Sequence, residues 1–441
     1  MSHQPQTPGP KSTITRREFV RVSAGTAFAA PFALGALPVA ASAFVAGSDQ
    51  IKVGLVGCGG RGTGAADNAL NADSGVVITA MADAFADKLD TSLKNLREKH
   101  SDRAQVNEDQ RFVGFDAYGR LIASGVDVVI LATPIVFRPE HLRACLEAGK
   151  HVFCEKSMAV DGPGVRSILE SAEIARTKGL SLVSGFCWRY ADPEQALMRE
   201  IHDGRLGAIR SMHTLYNTSG WVGYPKREEG WSDMEYQLRC WHYFKELSGD
   251  HIVEQACHSI DKIAWAMKGE LPTECVATGS RVVRTMGNVF DNFNVAYKYA
   301  SGARAFHVCR QIENTPYDNT DYIMGEKGYC FMNSWQRTPS DHHIGGDRPW
   351  HYPEDGKRRN MYQTEHEVLF DSIRNGKKHN DGTWMAHSTL MSIMGRMAAY
   401  TGQVVTWDQA LNSQEVYTPS TWAWTEREPL PVAVPGRTKL I

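Results

Sequence analysis

Two short stretches of this chain carry side chains that can move protons. In HVFCEKSMAV, residues 151–160, an apolar run ends abruptly in a carboxylate and an ammonium, Glu155 and Lys156. In GDHIVEQACHSIDKIAW, Glu254, His258 and Asp261 fall at i, i+4 and i+7, a spacing that puts all three on one face of a helix. Asp250 is a suitable N-cap for that helix, which would begin at His251. An imidazole, with an unperturbed pKa of about 6.5, exchanges protons readily near neutral pH. Each group has a plain structural alternative. Glu155 and Lys156 could form a solvated ion pair at a loop start, and His258 could be a satisfied histidine inside a helix bundle.

A third stretch is built for phosphate. IKVGLVGCGGRG, from Ile51 to Gly62, reads as a β-branched strand followed by Gly57, Gly59 and Gly62 in GxGxxG spacing, with Gly60 and Arg61 in the same turn. The glycines allow a tight turn, close approach of a pyrophosphate to the backbone, and close packing of the next helix on the sheet. A helix N-terminus then offers its free N–H groups to the phosphates. The next strand, VVITAMAD, ends in Asp83, 21 residues beyond Gly62. An acid there accepts from ribose hydroxyls and repels a 2′-phosphate, which favours NAD over NADP. Capping the following helix is a compatible second role for Asp83.

The positioning elements follow from the pattern. VDVVILAT, Val126 to Thr133, is a strand buried on both faces; a helix to Gly149, the strand HVFC, a helix from Gly164 and the strand LSLVSGF complete a doubly wound parallel sheet. Its ligands belong beyond the carboxyl ends of the strands, where Gly57, Asp83, Thr133, Pro134, Glu155 and Lys156 all fall.

At 441 residues the chain exceeds one ordinary core, so two domains are expected. Lysine plus arginine number 48 against 50 aspartate plus glutamate, which gives no basic field for nucleic acid or an acidic membrane and leaves a small molecule as the partner. Residues 1–46 differ in composition: TRREFVR at Thr15 to Arg21 precedes an uncharged stretch from Val22 to Ala46 with ASA at Ala41 to Ala43. This is the layout of a secretory signal, and Arg16–Arg17 resemble the twin-arginine type, which implies a periplasmic or extracellular protein that folds around a firmly held cofactor before export. An uncleaved membrane anchor is the alternative. The nine cysteines are scattered, without metal-ligand spacing, and are expected to be free, buried thiols.

GCGGRG, ATPIVFRPEHLRACLEAGKHVFCEK, GFCWRY and CHSID, in this order between Ile51 and Trp407, together resemble the Gfo/Idh/MocA oxidoreductases. The resemblance implies an α/β fold with a Rossmann domain over 47–187 and a C-terminal α/β domain over 188–441. That second domain has an open, largely antiparallel sheet and often mediates dimers or tetramers. It implies NAD as cofactor, a sugar or sugar derivative as substrate, and Lys156 and His258 as catalytic residues acting on the substrate hydroxyl. Glu254 stands where the family has an aspartate that helps bind or orient substrate, and Arg189 and Asp261 become substrate-binding candidates. Ser157 stands where the family motif has proline, which leaves the turn less rigid and puts any cis peptide there in doubt. Net sugar oxidoreduction is the first expectation, and redox-assisted glycoside hydrolysis with a recycled NAD is the second. A non-catalytic sugar-binding protein is the third. The aromatic segment with Trp221, Tyr224, Trp231, Trp241 and Tyr243 suits a sugar platform or plain core packing equally, so none of these is singled out.

Overall fold

The computed structural model describes residues 49–220, 225–335 and 341–441. The signal segment expected over 1–46 lies outside the described residues. Strands β1 (Ile51–Val56), β2 (Val76–Asp83), β3 (Arg111–Val113), β4 (Val128–Leu131), β5 (His151–Cys154) and β6 (Leu182–Ser184) alternate with helices α1 (Gly60–Ala72), α2 (Ala86–Lys99), α3 (Ala117–Ala123), α4 (Arg138–Glu147) and α5 (Gly162–Lys178). All strand pairs are parallel, in the order β3-β2-β1-β4-β5-β6. The order reverses between β1 and β4, so a crevice opens where their carboxyl ends meet. Burial explains the composition: every residue of β4 is buried, as a strand covered on both faces requires.

The strand expected over Val126–Thr133 ends at Leu131, and the helix expected after it starts only at Arg138, behind a 3₁₀ turn at Ile135–Phe137. Arg138, the first residue of that helix, braces the turn. Its buried guanidinium donates to Thr133 O at 2.7 and 3.1 Å and to Ser157 O at 2.6 Å, tying together the loops that leave β4 and β5.

Helix α6 (Asp192–His202) leads into β7 (Ile209–Thr218), followed by α7 (Asp233–Arg239), α8 (Lys245–Ser248), α9 (His251–Glu254) and α10 (Cys257–Ala266). Strands β8 (Glu274–Ser280), β9 (Asn292–Lys298), β10 (Arg304–Gln311), β11 (Thr320–Gly325), β12 (Gly328–Asn333), β13 (His342–Gly346) and β14 (Trp350–His351) come next. Helices α11 (Met361–Arg374) and α12 (Gly382–Thr401), strand β15 (Val405–Thr406) and helix α13 (Trp407–Asn412) close the series. The second sheet runs β14-β13-β12-β11-β7-β10-β9-β8-β15, antiparallel except between β7 and β10.

One core joins the halves, running from Val129 and Leu142 through Leu182 to Tyr297 and Met394. The expected division at 187/188 is crossed by α11, whose Leu369, Phe370 and Ile373 pack into the first sheet's core with Ile51, Leu70 and Phe153. All nine cysteines are free and buried. Among the described residues no helix is long and apolar enough to cross a membrane, and no metal-binding cluster occurs.

Candidate functional site

At the end of β1, Gly57 has φ +94°, and a Cβ there would lie 2.6 Å from the Ala132 carbonyl carbon. A Cβ on Gly62 would sit 1.9 Å from Gly57 O, so this glycine lets α1 press against the turn. Gly59 and Gly60 face open space, with nothing within 4 Å of a built Cβ. No side chain caps α1, which leaves its first N–H groups to a ligand. Beside this cradle is a cavity of about 270 Å³ lined by Gly57, Gly59, Asp83, Thr133 and Pro134, and closed from the second half by Arg239 and Trp241. Asp83 is fixed at its wall, with Oδ2 accepting from Cys58 N at 2.6 Å and Oδ1 from Phe85 N at 2.9 Å. Burial pushes the Asp83 carboxyl above the ordinary range, and those two N–H donors oppose the shift. Arg239 is turned to Asp87 and Glu235, at 3.2 and 3.0 Å, which neutralises the nearest guanidinium. Thr133 Oγ1 is buried without a protein partner. The uncapped helix, the two open glycines and this orphaned hydroxyl fit a dinucleotide.

The expected single helix after Asp250 is two helices. Asp250 does cap the start, accepting from His251 N at 2.5 Å, yet α9 ends at Glu254 and α10 begins at Cys257. The break has a cause in the first half of the chain. Lys156 Nζ donates to Glu254 O and to Glu254 Oε1 at 3.2 Å, while His258 N turns to Gln255 O at 3.4 Å. The carbonyl withdrawn from the helix ladder thus holds the ammonium in place. Ser157 adds a second tie, donating from Oγ to Val253 O at 2.5 Å, and the Lys156–Ser157 peptide is cis. The cis bond that the loss of proline put in doubt is present, and Ser157 is tied to α9 through its side chain.

Burial favours the neutral form of Lys156, but Glu254, with further help from Glu155, outweighs it and holds the pKa above the ordinary lysine value. Glu254 is shifted the opposite way: burial would raise it, and Lys156 brings it below the usual range. The pair is charged, with Glu254 Oε2 buried and unpartnered. His258 is 8% exposed, stands edge-on to Phe186 at 6.0 Å and stacks on Tyr216 at 6.3 Å. Burial, then the positive charges of Lys156, Lys262 and Arg61, drive its pKa well below the ordinary value, and its Nδ1 has no partner. The site thus sets an ammonium fixed in its charged form beside a neutral imidazole. His242, which nothing in the sequence singled out, is held to a pKa of about 4 by burial, with Glu254 opposing and Lys156 assisting.

Other expected site residues are committed to each other. Arg61 donates to Glu155 Oε1 and, at 2.6 Å, to Glu365 Oε1 of α11. Burial pushes the Glu365 carboxyl up, against the pull of Arg61. The guanidinium therefore bolts the glycine turn to the strand end that carries Lys156. Arg61→Ala strips the buried Glu155 and Glu365 of the guanidinium they share, and a destabilisation of about 3 kcal/mol is expected, read as a fall in Tm. Arg189 and Asp261, expected against substrate, instead grip one another at 2.8–3.1 Å, with Ser388 Oγ on Asp261 at 2.6 Å. The Arg189 guanidinium also lies over Trp384 at 3.8 Å. Of the aromatic segment, Trp221 and Tyr224 lie outside the described residues, Trp241 closes the cofactor cavity, and Trp231 and Tyr243 pack on Arg239 and Arg284.

A doubly wound domain with a dinucleotide cradle, joined to an open sheet that presses an acid–base pair against its strand ends, defines an oxidoreductase of the two-domain, NAD-binding kind. Residues 51–186 match the model described as an oxidoreductase family with an NAD-binding Rossmann fold, and residues 195–330 match the GFO/IDH/MocA C-terminal domain. The chain belongs to the Gfo/Idh/MocA oxidoreductase family, and its cofactor is NAD. It is 28% identical over 285 residues to an inositol 2-dehydrogenase of Rubrobacter xylanophilus, covering 64% of this chain and 71% of that one. It is 29% identical over 167 residues to a glycosyl hydrolase family 109 protein of Streptomyces coelicolor, covering 38% of this chain and only 34% of that protein's length. A solved levoglucosan dehydrogenase, in complex with NADH and levoglucosan, superposes with a TM-score of 0.65 at 18% identity, covering 81% of this chain and 99% of that one.

Proposed function

We propose that this protein oxidises a hydroxyl of a sugar or sugar derivative at the expense of NAD. The observation that carries the reading is the neutral His258 beside a Lys156 held as an ammonium on the Glu254 carbonyl and carboxylate. His258 takes the hydroxyl proton, and Lys156 stabilises the alkoxide as it forms. Bound in the cradle, NAD supplies the hydride acceptor at nicotinamide carbon 4. Gly57, Gly59, Gly60 and Gly62 with the N-terminus of α1 would hold its pyrophosphate, and Asp83 its adenosine ribose. Glu155, through Arg61, keeps Lys156 at its station.

Redox-assisted glycoside hydrolysis is the second reading, and the likeness to the family 109 glycosyl hydrolase favours it. Export by the twin-arginine route and a homo-oligomeric state belong to the proposal too; a firmly retained NAD would suit an exported enzyme under either chemistry. The deciding experiment gives purified protein free sugars and aryl glycosides without added NAD. Accumulating NADH, or paired sugar oxidation and reduction, supports oxidoreduction, whereas aglycone release over many turnovers without net NADH supports hydrolysis. A protein that does neither, with or without added NAD, overturns both. Asp83→Ala is expected to reduce the NAD-over-NADP preference, measured as the ratio of kcat/KM values, by about tenfold or more. An unchanged ratio removes Asp83 from the ribose role.

A further inference from the structure

Beyond Tyr216, which stacks on His258, a second cavity of about 480 Å³ opens on the C-terminal sheet, lined by residues of β7, β12 and the Gln255 break. Two exposed aromatic rings stand on it, Trp335 at 52% and Tyr317 at 67% exposure. Exposed rings are common on surfaces, but these two are tethered at their polar ends. The Trp335 indole Nε1 lies 2.9 Å from the Asn319 side-chain amide, which satisfies both groups when the amide oxygen faces the indole, its backbone N donates to Asn333 Oδ1 at 3.3 Å, and its ring meets Trp188 edge-to-face at 5.4 Å. The Tyr317 hydroxyl is paired with Ser219 Oγ at 2.5 Å. Each ring is therefore preorganised with an apolar face turned outward, which lowers the ordering cost of stacking a ligand on it.

The polar groups of the cavity are arranged to match. Gln255 Oε1 accepts from Thr218 Oγ1 and from Gln311 Nε2, both at 3.1 Å. That fixes the amide and leaves its N–H groups, for which the described residues supply no acceptor, to the cleft. Among the described residues lining it there is no cation, and the one carboxylate, Asp318, already accepts from Thr320 N at 3.1 Å and Thr320 Oγ1 at 2.7 Å. Apolar ring faces combined with fixed neutral donors and acceptors are the complement of a pyranose, which has C–H faces and a hydroxyl rim.

We propose that this cavity seats an uncharged pyranose ring face-on against Trp335, with Gln255 bonding its hydroxyls, and so sets the substrate class as neutral pyranosides. The inference rests on the oxidoreductase reading for its chemistry but not for its binding test. Tyr216 lines the cavity and stacks on His258 at 6.3 Å, so the cavity adjoins the His258 imidazole.

The test is calorimetric binding of methyl glucopyranoside, galactopyranoside and N-acetylglucosaminide to the NAD-loaded protein, with sorbitol and methyl glucuronide as controls. NAD reduction is followed in parallel. At least one neutral pyranoside is expected to bind about tenfold more tightly than both controls, and Trp335→Ala to weaken it about tenfold while Trp335→Phe retains most of the affinity and neither changes NAD affinity. Equal binding of the controls, no binding of any pyranoside, or no effect of Trp335→Ala would overturn the proposal. Failure of the chemistry is read separately: pyranoside binding that is lost in Trp335→Ala, with neither NAD reduction nor glycoside cleavage in the parent protein, keeps the platform and removes the oxidoreductase reading.

Discussion

Replacing Lys156 by methionine is expected to lower kcat by about 10³-fold, with NAD affinity unchanged. The ammonium contacts the Glu254 carbonyl and carboxylate and lines no part of the adenosine cavity, so its loss touches the hydroxyl chemistry and not the cradle. The same substitution strands a buried carboxylate, Glu254, which costs on the order of 3–5 kcal/mol of stability and could by itself depress the rate. A double variant separates the effects. Lys156→Met with Glu254→Gln removes the stranded charge, so Tm is expected to recover most of its loss while kcat stays low. Recovery of activity along with Tm would show that Lys156 is a structural partner of α9 and would remove it from the mechanism.

What the sequence made legible were features whose causes are local. The glycine turn, Asp83 and the strand ends of the parallel sheet are fixed by residues within one βαβ unit, and periodicity reports them. The break at Gln255 was not legible, because a regular i, i+4, i+7 pattern carries no sign that a lysine 98 residues upstream will claim a helix carbonyl. Arg61 is similar: its second carboxylate, Glu365, lies 304 residues away on a helix that returns to the first sheet. Pairing of Arg189 with Asp261, 72 residues apart, was hidden for the same reason. Aromatic content pointed to the segment around Trp231, whereas the exposed rings on the second cavity are Trp335 and Tyr317, at strand ends where alternation does not say which face meets a cleft. Local chemistry is written in spacing; long-range capture of a group by a partner is written only in topology.

Replacing His258 by glutamine is expected to lower kcat by about 10²–10⁴-fold, and the pH profile of the parent enzyme gives an independent check on the role. Only neutral imidazole accepts a proton, so the acid limb of kcat/KM follows the His258 pKa. Burial first, then Lys156, Lys262 and Arg61, hold that pKa well below the ordinary value. Activity is therefore expected to stay flat through pH 6.5, the usual histidine midpoint, and to fall only in more acidic solution. Lys156→Met removes one of those positive charges, so the acid limb of its residual activity is expected to move up, while burial keeps it below the ordinary value. The same shift has a sign in stability. Because the folded pKa is depressed, the unfolded chain binds the extra proton below about pH 6.5 and the native chain does not, so the penalty appears on acidification and grows by about 1.4 kcal/mol per pH unit until the folded pKa is reached. His258→Gln should relieve that penalty, leaving the variant less acid-sensitive in unfolding than its parent even as it loses activity. An acid limb at or above pH 6.5 in the parent, or acid sensitivity undiminished in the variant, would show that His258 is not the buried neutral base.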